Sequence, residues 1–322
     1  MAQGEKAGAP KLAKYLTPLG AWALAFGCSV GWGAFVMPGS TFLPVAGPVG
    51  TAIGIAISVP IMLVVAINYH YLINRYPDAG GTYAFTKACF DYDHGFVNAW
   101  FLILCYVAII WANATALPLI ARNLFGSLFQ VGFHYQIAGF DIYFGEVLMA
   151  ILSLLFAGFL CLHRRVAGWV QIVMALVLLV GAGVCAYLVI TRAGATEALV
   201  PPFAPDRPEV PGVITIIALA PWAFVGFESI CHSSAEFEFS PKRSFRIMAI
   251  AVVTAAVAYG ALAVLATTAR PEGVASWPEY IAGLGSYEGI QNLPTFFAAT
   301  VHLGNAGYFV LGFMALAGII TK

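Results

Sequence analysis

Stretches of apolar residues long enough to cross a bilayer recur eight times along this chain, near 17–44, 48–74, 95–122, 145–163, 166–190, 211–239, 245–268 and 293–320. A helical crossing takes about 20 such residues. The turn His163-Arg164-Arg165 separates the fourth stretch from the fifth. Of the 322 residues, 61% are hydrophobic and 9% charged, with a mean hydropathy of +0.87, whereas soluble domains carry about 25% charged residues. Such a chain has lipid as its solvent. The expected fold class is an all-α, polytopic integral membrane protein.

Formal net charge is zero and no Lys/Arg run is long enough to form a binding arm, so nucleic acid is not an expected partner. The cysteines Cys28, Cys89, Cys105, Cys161, Cys185 and Cys231 lie far apart with no Cys-x-x-Cys pair, and read as small buried hydrophobes. No His-x-x-x-His, Walker or Gly-x-Ser-x-Gly pattern occurs, so no metal or cofactor is implied.

Residues 1–16 read as an N-terminal tail before a first span too long for a signal peptide. With the N-terminus in the cytoplasm, inner segments hold Lys6, Lys11, Lys14, Arg75, Lys87, Arg164, Arg165, Lys242, Arg243, Arg246 and Lys322. Outer segments then hold Arg122, Arg192, Arg207 and Arg270. Eleven against four is the asymmetry of the positive-inside rule, so the N-terminus is expected to be cytoplasmic, in the cytoplasmic (plasma) membrane. Residues 271–292 mix Trp277, Tyr280 and Tyr287 with Glu272, Glu279 and Glu288, which suits an external loop lying at the interface.

Span one contains Gly27-Cys28-Ser29-Val30-Gly31-Trp32-Gly33-Ala34-Phe35-Val36-Met37-Pro38-Gly39. Its glycines weaken a helix and Pro38 removes a backbone donor. Unpaired backbone groups are tolerable in a membrane only where they face protein, water or ligand. Gly27 and Gly31 also fit a Gly-x-x-x-Gly packing face. Span six, however, carries a second mid-span Pro and Gly in Ala220-Pro221-Trp222-Ala223-Phe224-Val225-Gly226-Phe227-Glu228-Ser229. Two interrupted spans five apart are the pattern of a transporter built from inverted five-helix repeats, with substrate at the bilayer midplane. The amides of Gly31 to Ala34 would suit a carboxylate, and carbonyls near Phe224 and Val225 an ammonium. Together they would hold a zwitterion. Glu228, an ionisable group near the middle of a span, is either a proton-linked switch or a structural acid hydrogen-bonded to backbone freed by the break.

Three segments carry a family resemblance. Val30-Gly31-Trp32-Gly33-Ala34-Phe35-Val36-Met37-Pro38, Arg75-Tyr76-Pro77-Asp78-Ala79-Gly80-Gly81-Thr82-Tyr83 and Trp222-Ala223-Phe224-Val225-Gly226-Phe227-Glu228-Ser229 resemble, in order, signatures of the amino acid-polyamine-organocation superfamily. Its members are secondary transporters with the leucine-transporter fold. The resemblance implies alternating-access transport of an amino acid, or of a polyamine or related organic cation, with proton or sodium coupling. Gly31, Trp32 and Gly33 would contact the carboxylate end, with Val30 and Ala34 beside them. Val225 and Gly226 would line the pocket, Trp222 would gate it, and Glu228 would join the coupling network. The glycine-rich loop would pack the inner gate. In relatives the third helix lines the pocket, which makes Asn113 a candidate beside Thr115; His302 and Asn305 are weaker candidates in span eight. Thr295 and Thr300 could complete a sodium site.

Trp32 departs from the small residue common in relatives between the glycines. Relatives also have ten core helices, so the expected organisation is a first repeat over 17–190 and a partial second over 191–322, truncated after about eight transmembrane helices. The rival readings are an intramembrane enzyme using Glu228 with a span-eight histidine, and a non-transporting sensor or fragment.

Overall fold

The computed structural model describes residues 14–76, 78–137, 139–192 and 196–322. Lys6 and Lys11 of the expected inner tail and Pro77 of the loop motif lie outside them, as does the side chain of Arg192. Six helical runs among the described residues are long and apolar enough to cross a membrane. The expected spans one and eight are absent from that set as continuous helices, because each is broken.

Helix α1 (Pro18–Ser29) starts where Thr17 Oγ1 accepts the Gly20 N–H at 3.1 Å and Pro18 fills the first turn. Its 12 residues rise roughly 18 Å, short of a hydrocarbon core of about 30 Å. After the break, α2 (Gly33–Met37) passes through a π-helical turn at Pro38–Phe42 into α3 (Leu43–Arg75). Pro38 has no amide to continue the α ladder, which accounts for the widened turn. The 43-residue run Gly33–Arg75 is nevertheless two passes. Gly47 turns the chain with φ 70° and ψ 179°, and a Cβ there would lie 2.7 Å from the Phe203 backbone. The expected division between spans one and two falls at this residue.

A short helix, α4 (Thr82–Cys89), precedes the 34-residue α5 (Tyr92–Phe125). Between α5 and α6 (Phe144–Leu162) lies a small antiparallel hairpin of β1 (His134–Ile137) and β2 (Phe140–Tyr143), with Tyr135 opposite Ile142. An all-α expectation did not anticipate it. Then follow α7 (Arg164–Arg192), α8 (Glu209–Phe224), a 3-10 helix at Phe227–Glu236, and α9 (Ser244–Leu265). The loop helix α10 (Trp277–Ala282) leads to α11 (Pro294–Leu303) and α12 (Asn305–Ile320). Expected span eight is thus split at Gly304, whose φ is 61°.

The core is centred on α9, which packs against α1, α3 and α7. Ala251, Ala255, Ala258, Ala261 and Ala263 are buried along it, and small side chains let membrane helices approach closely. In contrast, α5 and α6 expose Trp100, Phe101, Leu155 and Phe159, as helices solvated by hydrocarbon do.

Segments expected on one side of the membrane meet at one end of the bundle. The N–H groups of Tyr15 and Leu16 donate to Glu236 O, and Glu238 N–H returns a bond to Leu16 O. Arg164 Nη1 pairs with Glu236 Oε1 at 2.7 Å, and Asn74 Nδ2 donates to Pro241 O. At the opposite end Val49 N–H donates to Pro202 O, and Trp277 Nε1 to Pro201 O.

Candidate functional site

The first break interrupts the helical ladder between Val30 N–H, which donates to Phe26 O, and Ala34 N–H, which donates to Gly31 O. Val30 adopts φ −102° and ψ 86°, so the amides of Gly31, Trp32 and Gly33 fall between the two ladders. The second break follows Phe224. Val225 is extended at φ −52° and ψ 124°, and Gly226 is left-handed at φ 116°. Pro221 in the last turn of α8 has no amide to bond back, which weakens that turn before the chain leaves it.

The two breaks face each other. Ser29 Oγ donates to Phe224 O at 3.3 Å as well as to Ala25 O at 2.8 Å, and the Tyr259 hydroxyl donates to Ser29 O at 3.3 Å. A Cβ on Gly226 would lie 2.5 Å from Cys28 O, and one on Gly33 would lie 2.2 Å from Cη2 of Trp222. At Gly226 glycine is required by the close approach of backbone and by its positive φ, whereas at Gly33 a side chain would have to displace the Trp222 indole.

Of the expected site residues, Gly31, Gly33, Trp222, Phe224, Val225, Gly226 and Glu228 belong to this junction or adjoin it. Val30, Ala34 and Phe224 have fully buried side chains, so their backbone is what a ligand could reach. Trp222, 46% exposed, and Val225, 38% exposed, are its open members, and Trp32 is half-buried. The Phe224 carbonyl, expected to be free for an ammonium, already accepts Ser29 Oγ.

Glu228 Oε2 accepts the Gly226 N–H at 2.9 Å, which satisfies a donor freed by the break. That is the arrangement expected of a structural acid. Asn113 Nδ2 donates to Ile109 O, and Thr115 Oγ1 to Trp111 O, both within α5. These bonds close on their own helix. Thr295 Oγ1 donates to Phe35 O, beyond the break, and buried Thr300 Oγ1 has no hydrogen-bond partner among the described residues. His302 Nε2 pairs with Thr268 Oγ1 at 2.8 Å.

Several residues at the junction were not legible in the sequence. The end of α12 lies against the first break: Thr321 Oγ1 donates to Gly27 O at 3.0 Å, Cys28 Sγ donates to Thr321 O at 3.3 Å, and Gln171 Nε2 donates to Thr321 O and Ala23 O. The Lys322 side chain packs over Gly31, with its Cδ 2.7 Å from where a Cβ would stand. A polar pair such as Gln171 and Thr321 inside apolar runs was the available signal, but it carries no address.

The glycine-rich loop docks on the 3-10 helix beyond the second break. Gly80 N–H donates to His232 O, Ser234 Oγ donates to Asp78 O at 3.0 Å, and a Cβ on Gly81, whose φ is 55°, would lie 2.4 Å from His232 Nδ1. Nearby, burial and the Glu236 carboxylate hold the Tyr15 phenol above its ordinary range, so it stays a neutral donor to Glu236 Oε2.

A cavity of about 400 Å³ between α5, α6 and α12 shares no lining residue with either break, and its walls, including Leu117, Phe125, Met149 and Phe313, are apolar. It suits hydrocarbon and not a zwitterion. No group of three or more His, Cys, Asp or Glu that could hold a metal occurs among the described residues.

Residues 16–321 match a family model described as amino acid permease. No curated protein matches the chain.

Proposed function

Because the chain belongs to the amino acid permease family of the amino acid-polyamine-organocation superfamily, we propose that it is a secondary active transporter that moves an amino acid across the plasma membrane by alternating access. The family points to a transporter rather than an enzyme. In this reading the zwitterion lies between the breaks. Its carboxylate takes the amides from Gly31 to Ala34, and its ammonium takes main-chain carbonyls around Val225. The observation that carries the proposal is the direct apposition of the two breaks through Ser29–Phe224, Cys28–Gly226 and Gly33–Trp222. Main-chain groups that leave the helical ladders of α1 and α8 converge there, in a protein whose solvent offers them no bonds of its own.

Helices α1 to α7 are read as one repeat and α8 to α12 as the matching part of the second. The end of the bundle holding Leu16, Arg164 and Glu236 is assigned to the cytoplasm, as the count of eleven inner cations against four outer suggests. Counterflow tests the proposal. Vesicles loaded with a mixture of unlabelled amino acids should accumulate labelled substrate above protein-free vesicles, and a parallel arm with polyamines should not. Uptake confined to the polyamine arm, or none in either, would refute it.

A further inference from the structure

The hairpin between α5 and α6 has two unlike faces. Its register sets Tyr135 opposite Ile142 and Ile137 opposite Phe140, and sets His134 opposite Tyr143 and Gln136 opposite Asp141. Opposed residues share a face and neighbours along a strand alternate, so Tyr135, Ile137, Phe140 and Ile142 lie together on one side. The pairing continues one step to Phe144 N–H, which donates to Phe133 O, and those two ring centres lie 5.2 Å apart on the same side. All six side chains but Ile142 are exposed.

The other face is polar and tied to the bundle. Gln136 Nε2 donates to Asp141 Oδ1 at 3.5 Å, and Tyr143 N–H donates to Glu146 Oε2. The Arg122 guanidinium lies 6.0 Å from the centre of the Tyr143 ring and donates to Asp141 O. Arg122 therefore holds the polar face from α5, and the apolar face is turned away from it. The hairpin stands at the end of the bundle opposite Leu16, where α5 packs against the turn Gly289–Asn292 of the loop that carries Trp277.

We propose that this hairpin is a membrane-interface anchor, whose apolar face lies on the lipid of the adjoining leaflet with Ile137 and Phe140 dipped among the acyl chains. The continuity of the surface carries the inference. Phe144 closes the apolar face and also opens α6, where Leu148, Leu152, Leu155 and Phe159 follow it at helical spacing, all exposed. The hairpin face thus extends the stripe that α6 offers to hydrocarbon. Depth follows from the backbone. β1 and β2 pair only with each other, so the outer edge of each strand needs water for its N–H and C=O groups, and open sheet edges do not occur inside hydrocarbon. The strands lie at headgroup level, and only side chains enter the lipid. No charged side chain lies on the apolar face, and Arg122 behind it is already held by Glu146. A neutral phospholipid is therefore sufficient.

Nitroxide labels in phosphatidylcholine vesicles test the anchor. In the full chain with the exposed Cys89, Cys105 and Cys161 replaced by alanine, labels would be attached in I137C, F140C, H134C and Q136C. Power saturation should show the first two relaxed several-fold more by oxygen than by a water-soluble nickel chelate, and the last two the reverse. Adding anionic lipid should leave this pattern unchanged. Chelate that reaches positions 137 and 140 as freely as 136 puts the hairpin in water and overturns the proposal. Labels at 137 and 140 shielded from both oxygen and chelate mean that protein covers the face, a second copy of the chain included, and overturn it too. The native chain provides a measurement without substitution: a lipid bearing a diazirine on its acyl chain should, on irradiation, mark Ile137 and Phe140 as well as α6. Label on α6 with none on the hairpin overturns the anchor.

Discussion

Gly33 and Trp222 touch across the two breaks, so closely that a methyl group on Gly33 would stand 2.2 Å from the edge of the indole. The Trp222 ring is nearly half exposed, and so has room to swing aside. Gly33→Ala should therefore fold while displacing the indole, at an overpacking cost of about 1–3 kcal/mol. Initial uptake should fall at least tenfold, with the melting temperature lowered by only a few degrees. W222L in the same chain should restore part of the rate, because it removes the ring edge that the methyl meets. Equal activity in G33A and the native protein would show that the apposition is irrelevant to transport.

Gly226 has no such relief. Its φ of 116° and the Cys28 carbonyl, 2.5 Å from where a methyl would stand, are both backbone constraints. Gly226→Ala should cost about 2–4 kcal/mol, visible as a lower midpoint in thermal unfolding. Gly158 in α6, which meets nothing within 4 Å, is the control. Its replacement by Ala should be neutral or stabilise by about 0.5 kcal/mol.

Glu228 separates by the two substitutions available to it. Glutamine keeps an oxygen that can accept Gly226 N–H, so E228Q should retain the fold and substrate affinity within about threefold, a difference of less than 1 kcal/mol. Alanine leaves that amide without its acceptor and should cost about 1–3 kcal/mol. Equal stability of the two variants in a denaturation series would remove the capping role.

Arg122 and Glu146 form a second test, away from the breaks. The Glu146 side chain is 2% exposed, receives Arg122 through both carboxylate oxygens, and accepts Tyr143 N–H at 3.1 Å. Arg122→Ala strands a buried carboxylate and should destabilise by about 3 kcal/mol. Arg122→Lys keeps the charge but loses the forked geometry, and should cost about 1 kcal/mol. Thermal unfolding in detergent ranks the three, and an R122A midpoint equal to that of the native protein would show the pair to be idle.

Much of this architecture follows from local sequence. Long apolar runs must be helices in a solvent that cannot bond the backbone, and Gly31, Gly33, Pro221 and Gly226 must weaken them where they stand. The two breaks were legible for that reason. The break at Gly304 was not, because a single glycine between apolar residues reads equally well as a packing site.

What lies across from each break was decided by tertiary structure alone. No period or spacing tells that Ser29 reaches Phe224, that Thr321 closes on Gly27, or that His232 receives both Tyr106 and the glycine-rich loop. The role of Glu228 shows the difference most clearly. Sequence left it open between a proton switch and a capping acid, because a carboxylate inside a span is costly in either role until its partner is known. The fold supplies that partner two residues away at Gly226, through a left-handed turn held against the Cys28 carbonyl at the end of α1. Sequence set where the helices must yield, since that depends on the residue itself. Which freed groups find each other depends on contacts hundreds of residues apart, which only the assembled bundle brings together.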